Sequence, residues 1–236
     1  VLAGFVAQMI DGLLGMGYGV TATSLLLTFG VTPAFASTSV HTAEVAATGV
    51  SAAAHWRAGN VDFSFAKRLL IPGVLGAIAG AYILASMPGD VMRPYIAAYL
   101  VLMGVVILVK AFRGVRPRED APKHLAPLAA AGGFFDAIGG GGWGPIVVGT
   151  LLARGNAPRT TIGSVNFAEF FVTFAASATL LLTIGGGNWR AIAGLAIGGA
   201  IAAPFAARLA GRIAARPLMI AVGITVILLS ARTLLR

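Results

Sequence analysis

Long apolar runs, separated by short polar stretches, divide the chain into segments. A bilayer core of ~30 Å needs ~20 apolar residues for each helical span. The runs predict eight segments, near 2–30, 34–57, 66–86, 91–112, 125–154, 159–184, 189–213 and 217–235. Successive positions such as those from Val101 to Val109 are apolar, so the alternation typical of a β-barrel is absent. The pattern therefore predicts an all-α polytopic membrane protein.

Composition supports the membrane interpretation. The chain is 58% hydrophobic and 11% charged, whereas a soluble domain is usually ~45–50% apolar and ~25% charged. This balance excludes an ordinary cytosolic enzyme, a nucleic-acid-binding domain and a disordered protein. The net charge of +9 then indicates lysines and arginines that flank membrane segments. The absence of cysteine excludes thiol nucleophiles and thiolate metal sites, and we expect no metal and no cofactor.

An internal repeat with an offset of 125 residues organises the chain. Residues 11–48 and 136–173 share 13 identities over 38 positions. The matched pairs include Asp11/Asp136, Gly15/Gly140, Gly17/Gly142, Gly19/Gly144, Pro33/Pro158, Ser39/Ser164 and Glu44/Glu169. We therefore expect two homologous halves of four segments each, residues 1–112 and 125–236, joined by a charged cytoplasmic linker at 113–124. Repeated halves are the usual plan of secondary transporters, with the site at their interface.

Glycines interrupt the first segment of each half, at 15–19 and at 139–144. Glycine costs about 1 kcal/mol relative to alanine inside a helix, so several together predict a break. Each broken segment either crosses the membrane as two stacked half-helices or returns as a re-entrant hairpin. If all eight segments cross, the membrane side that holds the linker carries 11 lysines and arginines, and the opposite side carries 6. If segments one and five are re-entrant hairpins, the linker side carries 13 and the opposite side carries 4. The positive-inside rule favours the hairpins, which make the two halves inverted repeats.

The glycine breaks also suggest a binding site. A half-helix that begins at a break would direct free N–H groups and a positive dipole end inward, which suits a small oxyanion. Donors at the start of the next helix of each half would complete the site. The predicted substrate-binding residues are Gly15, Gly17, Tyr18, Gly19, Ser39, His41, Gly140, Gly142, Trp143, Gly144, Ser164 and Asn166. The alternative is that the glycines only allow close packing and that the serines bond backbone carbonyls.

Two pairs of acidic residues fall within the predicted spans. They are the repeat pairs Asp11/Asp136 and Glu44/Glu169. Carboxylates within spans are rare and usually face a cavity or a partner. One interpretation is proton coupling, and the other is a structural role in which a carboxylate caps a half-helix or pairs with an arginine.

The order of these features resembles the TauE/SafE sulfite exporter family. The similarity rests on the glycine break, a Leu-Leu-Leu run, a Gly-Val-Thr-Pro loop, residues 36–39, the stretch 57–62 and a glycine-rich third helix. Residues 155–158 and 162–164 repeat parts of this scheme in the second half. The resemblance covers essentially the whole chain and implies a multi-pass inner-membrane transporter of small sulfur-containing anions such as sulfite or sulfoacetate.

The functional expectation is a secondary transporter, not an enzyme, that exports a sulfur oxyanion or organosulfonate across the inner membrane. Its expected partners are the lipid bilayer, the anionic substrate and, if the carboxylates couple transport, protons. No nucleic acid is expected, and a homo-oligomer is left open. A passive anion channel is the nearest alternative. An intramembrane protease, suggested by the pair Asp11/Asp136, is remote because the usual Gly-x-Gly-Asp context is missing.

Overall fold

The structure, a computed structural model, describes residues 1–112, 124–209 and 215–235, which form ten helices. The first half supplies α1 (Leu2–Leu14), α2 (Tyr18–Thr28), α3 (Pro33–Arg57), α4 (Phe63–Ser86) and α5 (Gly89–Phe112). The second supplies α6 (Leu125–Gly139), α7 (Gly144–Ala153), α8 (Pro158–Ile184), α9 (Trp189–Leu209) and α10 (Ala215–Leu234). The predicted charged linker lies outside the described residues except for His124.

Five of the described helices are long and apolar enough to cross a membrane. They cover Phe63–Ser86, Gly89–Phe112, Arg159–Ile184, Trp189–Ala206 and Arg216–Leu234. Large apolar side chains on these helices are exposed, among them Ile71, Tyr82, Leu102, Phe174 and Leu228. Soluble monomers rarely expose contiguous apolar patches of this kind, so these faces suit a lipid environment.

Helix α3 has many polar residues on its buried face, as does its repeat equivalent α8. The buried polar residues of α3 are Ser37, Thr38, Ser39, His41, Glu44, Thr48 and Ser51. Such side chains are costly next to lipid, and α3 instead packs against α8 and α9 of the other half. Buried polar residues are therefore concentrated where α3 and α8 pack together, at the interface between the halves.

Both glycine runs interrupt the helices at equivalent places. Gly15 (φ 68°) follows the last residue of α1, and Gly17 (φ 121°) directly precedes α2. Helix α6 ends at Gly140 (φ 65°), and Gly141 follows with φ 153°. Glycine adopts these positive values without the steric cost that a Cβ would add. We call the turn between α1 and α2 the first break, and that between α6 and α7 the second break.

Equivalent helices of the two halves pack in opposite directions. The Thr42 hydroxyl of α3 lies 2.9 Å from the Ser177 hydroxyl of α8. Seven residues later on α3, Gly49 contacts Phe170, which comes before Ser177 on α8. Helices α5 and α10 show the same order, because Gly104 adjoins Gly223 and the Arg216 guanidinium stacks over the Phe112 ring. Both pairs are therefore antiparallel.

The first helix of each half packs against the fourth helix of the other half. In one pair, a Cβ on Gly76 or Gly80 of α4 would strike the carbonyl oxygens of Ala130 and Phe134 of α6. In the other, Gly4 of α1 lies against the backbone of Leu195 on α9. Small residues at these contacts let the helix backbones approach closely. The exchange ties each broken helix to the opposite half.

Candidate transport site

The two breaks touch each other at the interface between the halves. A Cβ on Gly19 would lie 2.6 Å from Cα of Gly141, and a Cβ on Gly144 would lie 2.6 Å from Cα of Met16. Real Cβ atoms do not approach backbone this closely, so these positions need glycine. The structure thus brings together the glycines that the sequence places in two distant runs, and close packing is their immediate role.

A carboxylate caps the second half-helix at each break. Asp11 accepts a hydrogen bond from the backbone N–H of Tyr18 at 3.4 Å, and Asp136 accepts one from the N–H of Trp143 at 2.9 Å. These are the N–H groups at the positive ends of α2 and α7. The sequence predicted that such groups are free for an anion, whereas in this structure they donate to side-chain carboxylates. Asp11 and Asp136 therefore cap half-helices in this structure, which is the structural role that the sequence offered as an alternative to proton coupling.

His41 links the second break to α3. Its Nε2 lies 3.1 Å from Oδ2 of Asp136, and its Nδ1 lies 2.9 Å from the carbonyl oxygen of Ser37. Both ring nitrogens thus face acceptors, which a doubly protonated ring satisfies at once. The ring is completely buried. His41 and Asp136 form a buried hydrogen-bonded pair in which the carboxylate also holds the start of α7.

Four carboxylates share this interior. Asp11, Glu44, Asp136 and Glu169 are each at most 4% exposed and interact electrostatically with one another. Within the described part of the chain, His41 is the basic side chain that lies within salt-bridge distance of this group, at Asp136. Burying several carboxylates together is costly unless protons or cations offset their charge. The carboxylates therefore need protons or hydrogen-bond donors here, and the N–H groups of Tyr18 and Trp143 are two such donors.

Hydroxyl groups of the first half close the second break. Ser37 donates to the carbonyl of Ala137 at 2.6 Å, Thr23 to that of Gly140 at 2.5 Å, and Tyr99 to that of Gly141 at 3.1 Å. The Lys110 ammonium donates to the carbonyl of Pro145, in the π-helical first turn of α7. Thr23, Tyr99 and Lys110 were missed by sequence reasoning, since nothing in their local pattern shows which carbonyl each one faces.

The first break lacks two of these hydroxyls. The repeat equivalents of Ser37 and Thr23 are Ile162 and Val148. Both apolar side chains face the first break, because a Cβ on Gly15 would lie 3.3 Å from Ile162 and 3.4 Å from Val148. Hydrocarbon replaces the hydroxyl donors there. The two breaks have the same backbone plan but different polar surroundings.

Three polar side chains on one face of α8 carry buried atoms that have no hydrogen-bond partner among the described residues. The atoms concerned are Oδ1 and Nδ2 of Asn166, Oε2 of Glu169 and Oγ1 of Thr173. Their spacing from Ile162 is that of one helix face, so they continue the line of the side chain that meets Gly15. Asn166 is the repeat equivalent of His41. The His41 imidazole thus has hydrogen-bond partners, whereas the Asn166 amide has none among the described residues.

The two repeated serines bond loops of the opposite half. The Ser164 hydroxyl accepts a hydrogen bond from the N–H of Asp62 at 2.9 Å, and the Ser39 hydroxyl accepts one from the N–H of Asn188 at 3.2 Å. Asp62 and Asn188 are the residues that cap α4 and α9. In this structure both serines therefore hold the starts of helices.

Tyr18 and Trp143 anchor the breaks through their side chains. The Tyr18 hydroxyl donates to the carbonyl of Leu195 at 3.3 Å, and the Trp143 indole N–H donates to that of Val165 at 3.3 Å. Both side chains are completely buried. Among the predicted site residues, the glycines, these two aromatic residues, His41 and the carboxylates are therefore brought together around the breaks.

A buried polar interior between two related halves, inside a largely apolar helical bundle, is the plan of a membrane transporter and not of an enzyme. The comparisons agree with this class. The chain belongs to the sulfite exporter TauE/SafE family, whose model matches residues 1–233. The predicted family resemblance is confirmed, and the protein is a multi-pass membrane transporter.

Two curated relatives carry transporter names. The chain is 44% identical over 241 residues to the "Probable membrane transporter protein YtnM" of Bacillus subtilis (strain 168), covering 98% of this chain and 80% of the relative. It is 24% identical over 196 residues to the "Probable membrane transporter protein ORF9" of Sinorhizobium sp, covering 78% of this chain and 66% of the relative. No solved structure matches the chain significantly.

Proposed function

We propose that the protein is a secondary transporter that exports a small sulfur oxyanion or organosulfonate, such as sulfite or sulfoacetate, across the inner membrane. Membership of the sulfite exporter TauE/SafE family supports the substrate class. The contact between the two breaks carries the proposal structurally, since Gly19 meets Gly141 where the halves join. Discontinuous helices at a repeat interface form the sites of many transporters.

The proposal includes inverted repeats with re-entrant first segments. The antiparallel packing of α3 with α8 and of α5 with α10 supports inversion. Helices α1 and α9 run in the same direction, because Gly4 meets Leu195 while Gly12 meets Ala206. Helix α3 also runs in the direction of α9, because Ser39 meets Gly187 while Ala47 meets Gly199. Helix α1 therefore runs the same way as α3, so α2 must return to the side from which α1 entered.

This arrangement agrees with the charge distribution. The inverted arrangement puts the loops that precede α4 and α8 on the same side of the membrane, together with Arg57, Arg154 and Arg159. By sequence that side carries 13 of the lysines and arginines, and the other carries 4. The positive-inside rule makes the richer side cytoplasmic. A reporter fused after residue 235 should then report a non-cytoplasmic position, and a cytoplasmic signal would contradict the inverted arrangement.

The carboxylate caps give proton coupling a physical basis. An ionised Asp136 and an oxyanion are alternative acceptors for the N–H of Trp143, which lies 2.9 Å from the carboxylate. Protonation removes the negative charge and weakens the carboxylate as an acceptor. Proton uptake would therefore release the N–H groups at the start of α7 for the substrate. Asp11 and the N–H of Tyr18 offer the same exchange at the first break.

A flux screen in proteoliposomes tests the proposal. The purified protein should move sulfite or sulfoacetate against its gradient when a proton gradient is imposed, and sulfate, thiosulfate and taurine define its selectivity. Concentrative flux is the property of a carrier. Ohmic current without concentrative flux would instead establish the passive anion channel, and no flux of any of these compounds would reject the proposed substrate class.

A further inference from the structure

Lys110 occupies a place in the structure that the proposed function does not use. It lies in the last turn of α5 and is half-buried. Its ammonium donates to the carbonyl of Pro145 on α7, and a Cβ on Gly149 would overlap that ammonium. Among the described residues, no carboxylate lies within salt-bridge distance of it. Lys110 thus fits into a notch on α7 that Gly149 leaves open.

The carbonyl of Pro145 lacks its usual main-chain donor because the turn at Gly144–Val148 is π-helical. In an α-helix the N–H of residue 149 would donate to the carbonyl of residue 145. Here the Gly149 N–H donates to the carbonyls of Gly144 and Ile146 instead. A hydrogen bond from an ammonium is stronger than one from a neutral donor. Lys110 therefore replaces a bond that the π-helical turn gives up.

The equivalent place in the first half holds a neutral pair. Ser24 of α2 is the repeat equivalent of Gly149, and its hydroxyl lies 3.0 Å from the Ser230 hydroxyl of α10. Residues 105–111 and 225–231 share four identities over seven positions, and this alignment matches Lys110 with Ser230. A serine pair in one half is thus a glycine and a lysine in the other. The two changes fit each other, because the glycine leaves the room that the longer side chain takes.

The turn that Lys110 holds forms one wall of the contact between the two breaks. At its beginning, a Cβ on Gly144 would lie 2.6 Å from Cα of Met16, and at its end Val148 faces Gly15. A cation beside the first turn of a helix opposes the helix dipole, so the stability of α7 alone does not explain a lysine here. The position of this turn, in contrast, determines how the two breaks meet.

We infer that Lys110 is a positioning residue for the transported oxyanion, which it serves by fixing the first turn of α7 through the Pro145 carbonyl. Trp143 directly precedes this turn, and its N–H is the group that the proposed function, on which this role rests, offers to the oxyanion. Without the ammonium, that N–H would be held less firmly. The substrate should then bind more weakly while the two halves stay joined.

Fluorescence of Trp143 tests the positioning role without any substrate. Trp143 is completely buried, whereas Trp56 and Trp189 are 60% and 62% exposed. The chain has three tryptophans, so Trp56→Phe and Trp189→Phe leave Trp143 as the sole emitter. In this background Lys110→Met removes the ammonium and should shift the emission to longer wavelengths. Ser230→Ala, in the equivalent pair, is the matched control and should leave the emission unchanged. Unchanged emission in Lys110→Met would overturn the positioning role.

Sulfite flux in proteoliposomes gives a readout that a purely structural role would not move. Lys110→Met should raise the KM for sulfite about tenfold, the weakening expected when a hydrogen bond from a charged donor is lost, and should leave the maximal rate near the wild-type value. A packing role would lower the amount of folded protein and hence the maximal rate alone. An unchanged KM would contradict the positioning role.

Gly149→Ala keeps the lysine but displaces its ammonium from the notch. The flexible lysine side chain can turn away from the new Cβ, and alanine is a better helix former than glycine, so α7 should still fold. The KM should rise as in Lys110→Met, and the double variant should be no worse than either, because both changes remove the same hydrogen bond. A normal KM in Gly149→Ala would overturn the positioning role, since an ammonium that contacts the anion directly gives that result.

Chemical rescue separates the charge of Lys110 from its volume. The chain has no cysteine, so Lys110→Cys carries the only thiol, and mass spectrometry confirms its labelling. Alkylation with 2-bromoethylamine restores the length and the charge of lysine, whereas bromoethane adds a neutral group of similar size. The first label should restore the KM and the second should not. Equal rescue by both would contradict a role for the charged donor.

Emission and flux together separate this role from the proposed function. If Trp143 emission responds to Lys110→Met but the wild type moves no sulfur oxyanion, the proposed substrate class is rejected and the hold of Lys110 on α7 stands. If the wild type transports sulfite and Lys110→Met changes neither the KM nor the emission, the positioning role is rejected and the transporter proposal stands.

Discussion

The first and second breaks share a backbone but differ in what surrounds them. At each, a glycine turn with positive φ is followed by a half-helix whose first N–H meets an aspartate. Hydroxyls and His41 satisfy the second break, whereas Ile162, Val148 and an unpartnered Asn166 surround the first. Sequence symmetry therefore preserves the shape of the breaks and not their polar partners. The unsatisfied break is the better place for a ligand.

The largest expected effect is a difference in stability between alanine variants of the two capping aspartates, Asp136 and Asp11. Asp136→Ala removes the cap of α7 and leaves His41 without its partner, so we expect a loss of about 3–5 kcal/mol in the free energy of unfolding. Asp11→Ala removes only a longer capping hydrogen bond, the one from the N–H of Tyr18, and should lower the free energy of unfolding by about 0.5–2 kcal/mol. Denaturant unfolding of the detergent-solubilised variants measures both. Equal losses would mean that the two breaks are held alike.

The next prediction concerns the place where the breaks are alike. Gly144→Ala would press a Cβ against the backbone of Met16 and should cost about 1–3 kcal/mol, together with a loss of transport. Gly89→Ala, whose nearest neighbour would lie at 3.5 Å, is the matched control. Thermal unfolding and flux should change in the first variant and stay near the wild-type values in the second. A Gly144→Ala protein with normal flux would show that the breaks do not need this contact.

Thr23→Val makes the second break resemble the first. It removes the hydroxyl that donates to the carbonyl of Gly140, and leaving that buried carbonyl unpaired should destabilise the protein by about 1–2 kcal/mol. Equilibrium unfolding checks this. Adding Val148→Thr should not restore the loss, because the new hydroxyl serves the other break, and full recovery in the double variant would contradict the assignment of each hydroxyl to its own break.

The smallest effects should come from the serines that hold the loops. Ser164→Ala and Ser39→Ala each remove one hydrogen bond to a helix-capping residue. We expect each to cost about 0.5–1.5 kcal/mol in the free energy of unfolding and to leave the affinity for substrate unchanged. Substrate titration beside unfolding distinguishes this from a binding role. A raised Kd for sulfite would show that the hydroxyls contact the anion, as the sequence predicted.

Much of the general plan could be predicted from the sequence because it depends on local properties. Apolar runs predict helices, glycine runs predict their interruption, and the 125-residue offset pairs Asp11 with Asp136. The family assignment rests on the same motifs and is confirmed. The inverted arrangement and the roles of individual site residues remain predictions that the proposed experiments address.

The partners of the site residues could not be predicted, because they depend on packing between distant helices. The hydroxyl of Thr23 reaches Gly140 across the interface, and Ser39 reaches Asn188. The repeat does show Ser37 opposite Ile162 and Thr23 opposite Val148. Only the fold shows that these mismatches surround equivalent carbonyls, so that hydroxyls face the second break and hydrocarbon faces the first.

The flux of Asn166→Leu in proteoliposomes tests the central claim, a transport site at the first break, most directly. The Asn166 amide has no hydrogen-bond partner among the described residues, so leucine removes its polar atoms without breaking a hydrogen bond to them. The account predicts an unchanged or raised Tm with sulfite or sulfoacetate flux reduced at least tenfold. Wild-type flux with an unchanged Tm would contradict it.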